Sequence, residues 1–316
     1  MITDASADTV REEPAAGIAQ TAREARAAAT ARTVREALAA ATATLRAAGI
    51  ETAGTDAEWL LAHVLGVSRL RIHLAADAAL SEHERARYAS AVRRRAAREP
   101  LQHVVGAEDF RGLRLRVTPD VLIPRPETEA LVEWALALLP PRAVGRRPLV
   151  VDVGTGSGCI ACAMAAERPD VRVVAVDVST AAAAVARDNV ERLGLRGRIT
   201  VVSSDLLGAL RPGRADLVVA NPPYLATSVI AGLAPEVRDA DPRLALDGGS
   251  DGLAILRRLV PQAAALVRSG GALVLETGGG VHIEAVGRLL EAHAFRDVAR
   301  RDDLAGVTRF VAGRRD

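Results

Sequence analysis

Val150-Val151-Asp152-Val153-Gly154-Thr155-Gly156-Ser157-Gly158 reads as a buried strand running into a glycine-rich turn, and a helical pattern from Cys159 to Glu167 follows it. Glycines let backbone come close to a ligand, and a helix N-terminus offers N–H groups that have no partner within the helix. The next apolar run, 171–176, ends at Asp177. A carboxylate ending the second strand of a βαβ unit is placed to accept hydrogen bonds from both hydroxyls of a ribose. Further strands are predicted at Ile199–Ser203 and 216–220, with helical patterns between, so the strands should form an open parallel sheet. Ligands of such sheets bind outside the carboxyl ends of the strands. Gly154 to Gly158, Asp177, Asp205-Leu206 and Asn221 all fall at such ends and are expected to line one crevice. The turn alone would equally suit a nicotinamide dinucleotide, although its G-x-G-x-G spacing gives a diphosphate a less natural seat than G-x-G-x-x-G.

After the apolar run Leu217-Val218-Val219-Ala220 comes Asn221-Pro222-Pro223-Tyr224. Each proline fixes its own φ and removes an N–H, so the carbonyls here stay available as acceptors, and the Asn side chain adds another. Two acceptors facing one planar –NH2 group suit the alkylation of an amide or exocyclic amine, whose lone pair is delocalised and poorly nucleophilic. Tyr224 can cover such a planar group.

The chain has 316 residues and 49% apolar composition, enough for two domains with a sizeable core. Its 41 basic residues, all Arg, nearly cancel 39 acidic ones, and aromatics make up 2%. A dedicated nucleic-acid binder would show a basic patch interleaved with aromatics, so direct nucleic-acid binding is not expected. Residues 1–30 read as a disordered tail rich in Ala, Arg, Glu and Thr, without the apolar stretch of a signal peptide, and no run reaches the ~18 apolar residues of a membrane span. Residues 31–100 read as a small all-helical domain that recognises a macromolecular substrate. Within it Thr55 or Asp56 is expected to cap one helix, and Ser81 with Glu84 forms a capping box on another. Residues 101–125 read as a linking β-hairpin and 126–316 as the catalytic domain. Cys159 and Cys162 form a C-x-x-C inside a helix with no second Cys pair, which reads as core packing in a reducing cytoplasm; the scattered His residues offer no metal site.

The D-V-G-T-G-S-G turn (152–158), the acidic strand end at Asp177 and N-P-P-Y (221–224) resemble the class I S-adenosylmethionine-dependent methyltransferases, an α/β fold with a Rossmann-like sheet. With R-E-P-L-Q-H-V-V-G (98–106), F-R-G-L (110–113), V-L-I-P-R-P-E-T-E (121–129) and D-P-R-L-A-L-D-G-G-S-D-G-L (241–253), the chain is similar to the peptide chain release factor N5-glutamine methyltransferases. The R-P-E-T-E string carries most weight, because relatives acting on a ribosomal-protein glutamine usually depart from it. This resemblance implies S-adenosylmethionine held by Gly154, Thr155, Gly156, Ser157, Gly158, Asp177, Leu206 and Asn221. It also implies that Asn221, Pro222, Pro223 and Tyr224 bind the glutamine of the Gly-Gly-Gln motif of class I release factors. Asn221, Pro222 and Tyr224 are the expected catalytic residues. Phe110, Arg125 and Glu127 are expected to complete the substrate slot, with the stiff Ile123-Pro124-Arg125-Pro126 wall beside it. A ribosomal-protein glutamine or a nucleic-acid amine is the alternative substrate. Three positions depart from the family: Asp241-Pro242 stands for Glu-Pro, Leu206 for an aromatic in some relatives, and the text after Glu276 lacks a Gln.

Overall fold

In the computed structural model, which describes residues 31–141 and 146–316, the chain divides at Val105/Gly106 into two compact units. The expected tail lies outside the described residues.

The first unit is helical: α1 (Val34–Ala47), α2 (Ala53–Leu65), α3 (Arg69–Leu74), α4 (Glu82–Ala96) and α5 (Leu101–Val105). Capping boxes open α1 at Thr33/Glu36 and α4 at Ser81/Glu84, each satisfying backbone donors that the helix leaves unpaired. Leu45, Leu60, Leu61, Tyr88 and Val92 form its core. The expected cap at Thr55 or Asp56 does not occur, because α2 starts earlier, after Thr52. Asp56 lies inside the first turn instead, buried, and pairs with Arg95 of α4 at 2.7 Å. Residues 101–105, assigned to the hairpin linker on sequence, are the helix α5 of this unit.

The second unit opens with the antiparallel hairpin β1 (Ala107–Phe110) and β2 (Leu113–Arg116). Arg111 and Gly112 turn it, both at positive φ. The hairpin is more than a tether, since Phe110 and Leu115 are buried in the same core cluster as Leu131 and Ile160. Helix α6 (Glu127–Leu138) precedes the main sheet. There follow β3 (Leu149–Val153), α7 (Cys159–Glu167), β4 (Arg172–Asp177), α8 (Thr180–Arg192), β5 (Ile199–Ser203) and β6 (Ala215–Ala220). A 3-10 turn (Thr227–Gly232) and two short helices, α9 (Pro235–Arg238) and α10 (Arg243–Leu246), lead to α11 (Ala254–Leu266), β7 (Val267–Glu276), α12 (Val281–Ala292), β8 (Phe295–Asp302) and β9 (Thr308–Arg315).

The sheet order is β5-β4-β3-β6-β7-β9-β8, parallel except that β9 runs antiparallel to both β7 and β8. All six residues of β6 are buried, which is why its sequence reads as a continuous apolar run rather than an alternating one. Strand order reverses at β3, flanked by β4 on one side and β6 on the other. A crevice is expected outside the carboxyl ends of the strands at such a reversal.

Candidate active site

A cavity of about 380 Å³ opens at that reversal, between the ends of β3, β4, β5 and β6. Gly154, Gly156, Asp177, Leu206, Asn221 and Pro222 all contribute to its wall, so the strand-end residues singled out on sequence are brought together.

The glycine turn is closed mainly on itself. Gly154 and Thr155 donate their N–H groups to the Val176 carbonyl at 2.9 and 3.0 Å, and Gly158 donates to Thr155 at 2.8 Å. Gly156 N–H is held by the Asp177 carboxylate at 2.8 Å. Asp152, fully buried, accepts from the Thr155 hydroxyl and, at 3.1 Å, from Ala161 N–H, so the first turn of α7 is capped from below by the strand that precedes it. The donors of Gly154, Thr155, Gly156, Gly158 and Ala161 are thus engaged within the protein. Thr155, Ser157 and Gly158 build the turn rather than line the cavity. A side chain at Gly158 would press against Ala186 of α8 at 3.3 Å.

Asp177 stands 8% exposed, with one oxygen on Gly156 N–H and the other on Ser179 N–H at 2.9 Å. Burial raises its pKa, and the backbone donors pull it back down. Ser179, not Asp177, supplies the side-chain cap of α8, accepting from Ala182 N–H at 3.1 Å. The carboxylate is therefore rigidly aimed while each oxygen keeps acceptor capacity for a ligand. Leu206 faces the cavity from a backbone position at φ 50°, rare for a branched side chain. The neighbouring Asp205 pairs with Arg258, also on the cavity wall.

Asn221 marks the other end. Its side-chain N–H donates to the Thr128 hydroxyl at 3.2 Å, and the amide lies near enough to Glu276 to favour that carboxylate's ionised form. With the nitrogen committed to the buried Thr128, the amide oxygen is left for the cavity side. Neither Thr128 nor Glu276 was singled out on sequence, although both lie in strings that drew notice, R-P-E-T-E and the stretch after β7. Glu276 is one more acidic strand end, but its place beside Asn221 follows from β7 pairing with β6, which the sequence does not state.

The remaining expected residues take different places. Phe110 is 1% exposed in the core and cannot touch a substrate from there, because the hairpin that carries it packs inward. Arg125 donates to Asp241 at 2.5 Å across 116 residues of chain. That pair accounts for the Ile-Pro-Arg-Pro wall and for D-P-R-L together: one motif anchors the other. The Tyr224 ring lies outside the cavity wall, against Gly278, whose Cβ position would sit 3.2 Å from it. Burial and Glu276 push the Tyr224 hydroxyl up to about 12 despite nearby Arg309, so it stays neutral. Glu127 lies close enough to Tyr224 and Glu276 to raise both.

The D-G-G-S-D-G segment straps the N-P-P-Y backbone from outside. Leu225 donates to Leu246 O, and Gly248 donates to Leu225 O at 2.8 Å. In the stretch after Glu276, Val281 is 86% exposed, and the His282 ring bonds Asp251 O at 3.0 Å and fills the space beside Gly252. Cys159 and Cys162 are unpaired, and burial pushes both thiols up to about 12, as packing residues rather than nucleophiles or ligands. Among the described residues no group of three His, Cys, Asp or Glu could hold a metal, and no helix is long and apolar enough to cross a membrane.

Residues 36–106 match the family described as PrmC N-terminal domain, and residues 135–248 match the Methyltransferase small domain. A protein of Geobacter sulfurreducens named release factor glutamine methyltransferase is 43% identical over 270 residues, covering 85% of this chain and 92% of that one. One of Burkholderia pseudomallei with the same name is 46% identical over 279 residues, covering 85% and 94%. Among solved structures, the hMettl16 catalytic domain bound to a MAT2A 3′UTR hairpin aligns with TM-score 0.53 at 18% identity over 71% of this chain and 81% of that one, a likeness of fold alone.

Proposed function

The chain belongs to the release factor glutamine methyltransferase family, and we propose that it moves a methyl group from S-adenosylmethionine to the side-chain amide nitrogen of the glutamine in the Gly-Gly-Gln motif of class I peptide chain release factors. That protein substrate places the reaction in the cytoplasm. The observation that carries the proposal is the orientation of Asn221, whose amide N–H is tied inward to Thr128 so that its oxygen is the group left to meet a substrate.

The residues present fit this cofactor. Asp177 keeps acceptor capacity on both oxygens for a ribose diol, and Val178, Leu206 and Leu244 give apolar surface for a flat base. Four of the N–H groups a diphosphate would use at the glycine turn, those of Gly154, Thr155, Gly156 and Gly158, are spent inside the protein. When bound, S-adenosylmethionine supplies a methyl group already activated by its sulfonium sulfur.

The chain's own contribution is alignment. The Asn221 oxygen and the Pro222 carbonyl accept the two N–H bonds of the target amide and turn its lone pair toward the cavity. Orientation of two bound reactants can lower a barrier by about 7–11 kcal/mol. Tyr224 stays neutral and packs against Gly278, outside the cavity wall. The nitrogen becomes strongly acidic once alkylated, and its proton leaves to water. A pair of acceptors also rejects a carboxylate, so a Gly-Gly-Glu substrate should be inert.

Incubation with a release factor and methyl-labelled cofactor, followed by peptide mass spectrometry, tests the assignment. One methyl on the motif glutamine is expected, and none when that residue is Glu. Label on nucleic acid or a ribosomal protein, with none on release factor, overturns it.

A further inference from the structure

Asn221 is an unusual choice for a positioned acceptor, because an amide can offer either its oxygen or its nitrogen to a ligand. The two faces differ only by a half-turn about the last side-chain bond, and the wrong face would meet a substrate –NH2 donor to donor. Something must set the direction, and the structure contains a device that does so.

Glu276 closes β7, which pairs in parallel with β6, and the register that sets Ala220 beside Leu275 brings Asn221 and Glu276 to the same sheet edge. Thr128, in the first turn of α6, reaches the same point. Thr128 and Glu276 are each 2% exposed. The Thr128 hydroxyl donates to Glu276 Oε2 at 2.8 Å and accepts from Asn221 Nδ2 at 3.2 Å. A hydroxyl has one proton to give. Once that proton goes to the carboxylate, the hydroxyl can only accept from Asn221, and the amide must turn its nitrogen inward.

We propose that Glu276, acting through Thr128, is the positioning residue that sets the polarity of the substrate slot, fixing an oxygen rather than an –NH2 toward the substrate amide. The substrate part of this statement rests on the reaction proposed above; the polarity of Asn221 does not.

A consequence is that the device works in one direction only while Glu276 is an acceptor. A protonated Glu276 can donate to Thr128, whose own proton is then free for the Asn221 oxygen, and the amide reverses. Burial favours the neutral acid, Glu127 of α6 adds to that, and Arg309 of β9, Thr128 and Asn221 oppose it; together they push Glu276 up to about 7. Tyr224 also faces it, as a neutral phenol.

Two measurements on the full chain with S-adenosylmethionine bound decide this. In 15N–1H spectra, the Asn221 side-chain NH2 signals, identified by their loss in Asn221→Ala, should be protected from water exchange and shift with a midpoint near neutral pH. In Glu276→Gln that pH shift should vanish. Signals that titrate identically in parent and variant overturn the proposal whether or not any substrate is methylated. For turnover, Glu276→Gln should lower kcat by about 10–100-fold and abolish the acidic limb of its pH profile, with cofactor Kd within about twofold, since orientation rather than cofactor binding is lost. Thr128→Val should reproduce the kcat loss, and Thr128→Ser, which restores the hydroxyl, should recover most of it. Full kcat with an unchanged acidic limb in Glu276→Gln overturns the proposal, whereas a parent chain that methylates no release factor overturns the substrate assignment and leaves the spectral test standing.

Discussion

Asp177 and Asn221 end neighbouring parts of one sheet edge, yet their surroundings divide the work between them. Asp177 is pinned by two backbone N–H groups and Asn221 by Thr128; in the proposed reaction the first meets the cofactor and the second the substrate amide. Removing each should therefore damage a different quantity. Asn221→Ala is expected to lower kcat by about 10²–10³-fold, the cost of losing one preorganised contact to the reacting group, with cofactor Kd changed by no more than a few-fold. Asp177→Ala should weaken cofactor binding by about 10–100-fold, because charge-assisted hydrogen bonds of about 1.5–3 kcal/mol are lost. Calorimetry beside steady-state kinetics separates the two, and equal loss of binding in both variants would contradict the division. The strand-end residues of this site were legible in the sequence because the position of an apolar run fixes where its last residue emerges. Thr128 and Glu276 were not, because their role depends on which strand lies beside β6, and sequence order does not give sheet order. Phe110 was misread for a related reason: an aromatic next to a glycine turn looks the same whether its hairpin faces in or out.

The loop from Leu246 to Gly252 meets the N-P-P-Y backbone closely enough that side chains are excluded at Gly248 and Gly252. A Cβ on Gly248 would lie 2.7 Å from Pro223 O, and one on Gly252 would lie 2.3 Å from Tyr224 O at a φ of +74°. Gly252→Ala must therefore displace the carbonyls that border the slot. A shift of about 1 Å at a reacting group can cost about 10²-fold in rate, so kcat should drop by about 10–100-fold while the cofactor still binds. A variant with unimpaired kcat would show that the loop yields without moving the slot. In the first unit the corresponding tie is Asp56 to Arg95, which joins α2 to α4 with both side chains nearly buried. Asp56→Ala leaves a buried guanidinium without its carboxylate and should destabilise that unit by about 3–5 kcal/mol. In a Trp134→Phe chain, denaturation followed by the fluorescence of Trp59, in α2, reads that unit; a loss below about 1 kcal/mol would mean that Arg95 finds another acceptor.

Across the whole molecule, the two-unit plan and the parallel sheet were legible in the change from helical spacing to strands alternating with helices. The antiparallel turn of β9 between β7 and β8 was not, since nothing in a single strand's sequence states its direction. The same burial that hides the sheet also sets a pH response. In the second unit Asp152 and Glu276 are both pushed up to about 7 by burial, from ordinary values of 3.8 and 4.5. Asp177 and Asp241 are raised in the same direction, also chiefly by burial. Between those ordinary values and pH 7 the folded chain holds protons that the unfolded chain has released, so stability must fall as pH rises through this window. The surface carboxylates held low by their partners, such as Asp251 at about 2, exert their effect below it. In a Trp59→Phe chain, Trp134 alone reports the second unit. Its urea unfolding should give a free energy about 2–4 kcal/mol higher at pH 5.5 than at pH 7.5. Adding Glu276→Gln, which removes one titrating acid, should remove about half of that difference. Stability rising from pH 5.5 to 7.5 would mean that these carboxyls are ionised in the folded protein, and that the Thr128 hydroxyl keeps one direction throughout that range.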